Sequence, residues 1–209
     1  MEAGLAFKQN TTYKFKASLV EKLRMILFVI VMGAVSAGLL VVINFYTSQR
    51  VMKNEELELK SSVMSAFDIA YKKGDIEEVF NQNVKALEKS SIMFYQSKNN
   101  EVAFMFSGSG FWGPITGIIA LDSKLEAIKG IQIIHQEETP GLGGRITEKE
   151  FLEQFKGKKI VPSLVILSGS NKASKENEVD AVTGATMTSK ALENLLNNEI
   201  LKHREVWVK

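Results

Sequence analysis

The sequence predicts an α+β protein in which one N-terminal transmembrane helix is followed by a mostly antiparallel sheet domain with flanking helices. Three observations predict it. Residues 25–43, "MILFVIVMGAVSAGLLVVI", are nineteen residues without a charge; as a helix rising about 1.5 Å per residue they span roughly 28 Å, close to the hydrocarbon core of a bilayer. Further on, the runs "SIMFYQ", "EVAFMFSG", "ITGIIALDS" and "LEAIKGIQIIHQEE" are rich in β-branched and aromatic residues with polar breaks between them, the mark of strands joined by turns. Apolar residues at helical spacing flank these runs on both sides.

At 209 residues the chain holds one domain of ordinary size plus an appendage. Its 26 basic and 24 acidic residues leave a formal net charge of +2, so there is no global basic field and no nucleic-acid partner is expected. The absence of Cys rules out disulfides, Fe–S ligation, thiolate catalysis and zinc–cysteine sites. His135 and His203 lie far apart, and no metal site is expected from them. Any redox chemistry has to come from an organic cofactor.

In chain order, residues 1–24 form an N-terminal segment bearing Lys8, Lys14, Lys16, Lys22 and Arg24, and residues 25–43 the transmembrane helix. Ala34, Ser36, Ala37 and Gly38 offer small residues to a signal peptidase, but the apolar stretch exceeds the core of a signal peptide and the segment before it is long, which favours an uncleaved anchor. Arg50, Lys53 and Lys60 are the positive charges soon after it. The positive-inside rule therefore places the N-terminus in the cytoplasm and the rest of the chain on the outer side of the cell (inner) membrane. Residues 44–90 read as a helical lead: "ELELKSSVMSAFDIAYKKGD" ends at a Gly stop, and "IEEVFNQNVKALEKS" sets Ile76, Val79, Phe80, Val84 and Leu87 on one face. Residues 91–209 form the domain. After its strands, which turn at Asn99–Asn100, Thr147 followed by Glu150 is a capping-box pattern opening the helix "EKEFLEQFKGK", with Gly157 near its end. "IVPSLVIL" is another strand candidate, "SGSNKASKENE" a solvated loop, and a last helix carries Leu192, Leu195, Leu196 and Ile200 at core-facing spacing.

Three loops hold the candidate chemistry, and each has an ordinary reading beside it. In "SGSGFWGPITG", Gly108, Gly110 and Gly113 let the backbone come close to a flat ligand and Phe111 and Trp112 can pack on a ring system; a Gly-rich strand connection with a buried aromatic pair explains the same residues. In "EETPGLGGRI", Pro140–Gly141 and Gly143–Gly144 favour turns that present Leu142 on nearly bare backbone, a platform for a planar ligand or a tight strand-to-helix connection. Arg145 there suits a phosphate or carbonyl, or is a solvated cation. In "VDAVTGATMTSKAL", hydroxyls precede a helix whose first turn has unpaired N–H groups and the positive end of the macrodipole, a natural rest for a phosphate. The ordinary reading makes Thr186 or Thr188 the N-cap. Lys190 follows Ser189 and no Gly-Lys pair is present, so a P-loop is not indicated.

Together, "GFWGPI", "ETPGLG" and "DAVTGATMTS", in this order and at these separations, resemble the flavin-binding domain of the G subunit of the Rnf ferredoxin:NAD oxidoreductase and of the C subunit of the sodium-pumping NADH:quinone reductase. The resemblance spans roughly residues 91–201. In that family Asp-x-x-Ser/Thr-Gly-Ala-Thr marks covalent attachment of FMN through its phosphate to the last Thr. The resemblance thus assigns Asp180, Thr183, Gly184, Ala185 and Thr186 to the motif, with Thr186 as the attachment residue and a flavin transferase using FAD as the installing enzyme. It places Thr139, Pro140, Gly141, Leu142 and Gly143, with Trp112 and Gly113, at the border of the isoalloxazine. It implies an electron-transfer subunit, a membrane flavin subunit and Fe–S subunits as partners, and no catalytic residue of its own. The short lead between anchor and domain favours the Rnf subunit over the longer quinone reductase subunit. A self-contained flavin reductase and a non-redox membrane-anchored scaffold module are the rivals.

Overall fold

The computed structural model describes residues 2–169 and 172–208, with side chains from residue 21 onward. The side chains of Lys8, Lys14 and Lys16 in the basic flank, and Ser170 and Asn171 of the solvated loop, lie outside the described residues. The chain forms two compact units, Met1–Asn54 and Glu55–Lys209.

Helix α1 (Glu2–Ala66) makes up the described part of the first unit and continues into the second. Its most apolar 18-residue window has a mean hydropathy of 2.9 and none of that window is buried. Among the described residues this is the one helix long and apolar enough to cross a membrane. Just beyond the apolar run, the hydroxyls of Thr47 and Ser48 donate to the carbonyls of Ile43 and Phe45 at 2.9 and 3.2 Å, so these polar groups are satisfied within the helix.

In the second unit α1 stops at Ala66, well before the predicted Gly74. Ile69 N–H donates to Met64 O and Asp68 N–H to Ser65 O, with Asp68 at φ 61°. This is the Schellman arrangement, with Asp rather than Gly taking the left-handed position. Helix α2 (Ile76–Asn83) follows. Asn83 ends it by donating its side-chain N–H to Val79 O at 2.8 Å.

The expectation that helix continues to Ser90 is corrected here: Val84–Lys89 is strand β1. It pairs antiparallel with β2 (Ile92–Ser97), Val84 opposite Ser97 and Lys89 opposite Ile92. The open hydrogen-bonding edge of β2 outweighs the good helix propensity of "VKALEK", a local preference that tertiary context overrides. β3 (Val102–Ser109), β4 (Pro114–Leu121) and β5 (Ile128–Gln136) complete a five-stranded antiparallel sheet in sequence order. β6 (Val165–Leu167) and β7 (Glu178–Asp180) form a separate parallel pair. Only these three residues of the "IVPSLVIL" run become strand.

Strand residues alternate between two cores, as the pleat requires. Phe94, Phe104, Phe106, Ile115, Ile119 and Ile131 face one core, into which α4 (Thr186–Val208) inserts Leu192, Leu195, Leu196 and Ile200. Tyr95, Ala103, Ile118 and Ala120 face the other, closed by Val63, Met64 and Phe67 at the end of α1 and by Ile76 and Phe80 of α2. The predicted capping box does not form. Thr147 belongs to a 3-10 turn, Gly143–Thr147, and its hydroxyl donates to Gly144 O at 3.0 Å, while the short α3 (Lys149–Glu153) starts from Glu148 without a side-chain cap.

Candidate functional site

The loop between β3 and β4 is a tight turn closed by Gly110 N–H to Gly113 O at 2.7 Å. Phe111 and Trp112 form its tip, their rings edge to face at 5.2 Å, with Trp112 71% exposed. The bland expectation of an aromatic pair tucked into the core is therefore not what forms. After β5 the chain reverses again, Leu142 and Gly144 both donating their N–H to Thr139 O at 3.1 and 3.0 Å, with Gly141 at φ 73°. The third segment leaves β7 and enters α4 through Gly184 at φ 80°, a conformation that costs glycine little and other residues more.

These three segments meet on one side chain. Glu138 Oε1 accepts the N–H groups of Phe111 and Trp112 at 2.7 and 3.0 Å, and Oε2 accepts the Thr188 hydroxyl at 2.6 Å. Its own N–H is held by Gln136 Oε1 at 2.6 Å. Glu138 is 4% exposed. Burial is the largest single influence on its carboxyl and pushes its pKa up, but the Thr188 hydroxyl and the N–H groups of Trp112, Phe111 and Gly113 together hold it below the usual carboxylate range. The packing is close: a Cβ on Gly143 would sit 2.5 Å from Thr188 Oγ1 and 2.8 Å from Glu138 Oε2, and one on Gly110 would strike Glu138 Oε1.

At the start of α4, Ala185 N–H donates to Val182 O and Ser189 N–H to Ala185 O, which makes Ala185 the capping position and Thr186 the first helical residue. Neither Thr186 nor Thr188 is the N-cap. The Thr188 hydroxyl is drawn to a charged acceptor instead, and Ser189 Oγ accepts Val182 N–H at 3.2 Å. Thr186 stays exposed. Helix geometry leaves the N–H groups of the first turn without intrahelical acceptors.

A cleft of about 340 Å³ opens among Phe111, Trp112, Thr139, Leu142, Gly143 and the residues 184–188, within the size range of small-molecule sites. Of the residues singled out from sequence, Trp112, Thr139, Leu142, Gly143, Gly184, Ala185 and Thr186 line it. Gly113 stays in the adjoining turn, and Pro140, Gly141, Thr183 and Asp180 lie outside the lining. Asp180 is occupied elsewhere: Oδ1 accepts Ala173 N–H at 2.6 Å, its N–H donates to Gln154 Oε1 at 2.9 Å, and Lys172 pairs with Oδ2 at 3.5 Å. Beside it in β7, Glu178 pairs with the Lys175 ammonium and accepts the N–H groups of Ser174 and Lys175, which lowers its pKa to about 2. Arg145 pairs with Glu148 at 3.0 Å on the surface. A larger hollow of about 460 Å³ next to β5 and α3 is lined by two cations, Lys149 and Lys156, the second paired with Asp68 and Glu153.

Glu138, and the Thr188 hydroxyl that binds it, carry no local signal in the sequence. A carboxylate in a Gly-Pro turn reads as solvated, and nothing local reveals donors 26, 27 and 50 residues away.

The residues present suit a flavin phosphate: bare backbone at Gly184, an exposed hydroxyl at Thr186, and a helix N-terminus directly behind it. Residues 110–200 match the FMN-binding domain. The chain is 30% identical over 195 residues to the G subunit of the Na⁺-translocating ferredoxin:NAD⁺ oxidoreductase complex of Acetobacterium woodii, covering 86% of this chain and 89% of that relative. The chain belongs to the FMN-binding domain family. Within the family it is also 31% identical over 134 residues to the C subunit of the Na⁺-translocating NADH-quinone reductase of Haemophilus ducreyi, covering 62% of this chain but about half, 52%, of that relative. The crystal structure of the Na⁺-translocating NADH-quinone reductase C subunit from Parabacteroides distasonis superposes with a TM-score of 0.63 at 25% identity, over 70% of this chain and 89% of that one. The NqrC structure of Shewanella oneidensis, 21% identical with a TM-score of 0.63 over 68% of this chain and 90% of that one, shares the fold. Every residue lining the cleft falls inside the segment matched to the FMN-binding domain.

Proposed function

We propose that this chain is an electron-transfer subunit of a membrane ion-translocating oxidoreductase, of the ferredoxin:NAD type, and that it carries FMN joined through its phosphate to Thr186 Oγ1. The observation that carries the reading is Thr186 itself, an exposed hydroxyl on the first residue of α4 opening into the cleft. The first-turn N–H groups and the helix dipole favour a phosphate ester at that point. Gly184 keeps side-chain bulk out of the cleft beside Leu142, and Phe111, Trp112 and Leu142 offer apolar surface to a ring system. Bound FMN would supply the acceptance and release of electrons one at a time.

The remaining assignments belong to the same reading. α1 anchors the chain by a single pass, with the N-terminus cytoplasmic and the flavin domain outside. A transferase loads the flavin from FAD, Asp180 belonging to the motif it recognises, and the partners are a membrane flavin subunit and Fe–S subunits. The chain turns over no substrate alone. The near-complete coverage of the ferredoxin:NAD relative, 89% against 52% for the quinone reductase relative, supports the ferredoxin:NAD assignment. The solved quinone reductase fold supports that complex as the second reading; purification from native membranes separates them by whether Fe–S or quinone-reducing subunits copurify.

The test is intact mass and in-gel flavin fluorescence of the chain coexpressed with a flavin transferase, beside Thr186→Val. The native chain gains the mass of FMN less one water and the variant gains none. Modification of both chains would move the attachment to another residue, and modification of neither would leave a non-redox scaffold module.

A further inference from the structure

The clip at Glu138 has an electrostatic side. Glu138 is deeply buried, and the groups on its carboxylate are neutral: the N–H groups of Phe111, Trp112 and Gly113 and the hydroxyl of Thr188. Among the described residues no Lys or Arg forms an ion pair with it; the nearby cations are committed elsewhere, Arg145 to Glu148 and Lys190 to Glu193. His135 pairs with the exposed Glu137 at 3.3 Å. Neutral donors stabilise a carboxylate without cancelling its charge. The charge lies against the cleft, since four residues that touch or crowd Glu138, namely Phe111, Trp112, Gly143 and Thr188, also line it.

We infer that Glu138 is a positioning residue with a redox consequence: it locks the three segments into one preformed cleft and fixes an uncompensated negative charge beneath it, which lowers the reduction potential of the flavin held there. The inference rests on the proposed function. Reduction adds negative charge to a flavin, and a fixed like charge close by, itself buried from water, opposes that addition. Glu137, one residue earlier, provides the contrast. It is exposed to solvent, so its charge is screened by water and salt.

The experiment uses the full chain in detergent, coexpressed with a flavin transferase, as native protein, Glu138→Gln and Glu137→Gln. The first readout is covalent flavin on the native chain; its absence overturns the functional reading before any variant is compared. With flavin present, spectroelectrochemical titration is expected to show a more positive midpoint potential for Glu138→Gln, which keeps an acceptor oxygen for the Phe111 and Trp112 N–H groups, and a native midpoint for Glu137→Gln. Equal midpoints in native protein and Glu138→Gln overturn the inference while leaving the function intact. Should Glu138→Gln take up no flavin, amide exchange on unloaded native protein and Glu138→Ala decides. Exchange at Phe111 and Trp112 faster by about tenfold or more, with the β3 and β4 core amides unchanged, supports the clip, as loss of a hydrogen bond to a charged group requires. Native exchange rates at those two amides overturn it.

Discussion

Thr188 and Glu138 stand 50 residues apart in the chain and 2.6 Å apart in the fold. At this scale the site is a set of hydrogen bonds to one carboxylate. Removing a neutral donor from a buried charge costs more than an exchange between neutral partners, about 1.5–3 kcal/mol. Thr188→Val keeps the side-chain shape and removes the donor, so it is expected to destabilise the fold by that amount, read as a lower urea midpoint at unchanged slope. Thr188→Ser keeps the hydroxyl and is expected to recover most of the loss. The motif letters around Thr186 were readable without the structure because Gly184, Ala185 and Thr186 are adjacent in sequence. Glu138 was not, because its meaning lies in partners contributed by other loops.

At the scale of elements, α4 does two tasks. Its first turn borders the cleft, and its later turns pack Leu192, Leu196 and Ile200 into the larger core. Near its end His203 is buried and stacks on Phe104, ring centroids 4.1 Å apart and planes 7° from parallel, with Nδ1 2.7 Å from Glu199 O. Burial lowers its pKa, the effect outweighing the Glu199 carbonyl and carboxylate. The unfolded chain therefore binds a proton near the ordinary histidine value that the folded chain still refuses. This contribution to stability is complete above that value and is lost as pH falls below it. Thermal unfolding at pH 7.5 and 5.5 checks this: the native chain loses more stability on acidification than His203→Phe, whose ring keeps the stack on Phe104 without titrating. A steeper loss in the variant would contradict the assignment. The helical pattern of α4 was plain from the spacing of its leucines. β1 was misread, because Val84 and Leu87 fit a helical face as well as a strand and only the free edge of β2 selects between them.

At the scale of the molecule, both apolar clusters lie wholly within Glu55–Lys209, while the long exposed apolar run lies in Met1–Asn54. The first feature describes a domain with its own core, and the second a helix long and apolar enough to cross a membrane. The proposed orientation can be read by labelling, since the chain has no Cys to interfere. In intact cells a membrane-impermeant maleimide is expected to label Lys98→Cys, in the exposed turn between β2 and β3, and to leave Lys8→Cys unlabelled until the cells are opened. The reverse pattern would invert the topology. By itself the sequence determined the apolar helix, the run of antiparallel strands and the threonine motif, because each rests on residues that are neighbours along the chain, where hydropathy, alternation and turn chemistry act locally. Only the tertiary structure decided where α1 stops, that "VKALEK" becomes an edge strand, and that Glu138 ties three loops into one cleft. The last two depend on hydrogen bonds and packing between separate segments, and the first on a left-handed Asp68 that the composition around it does not announce.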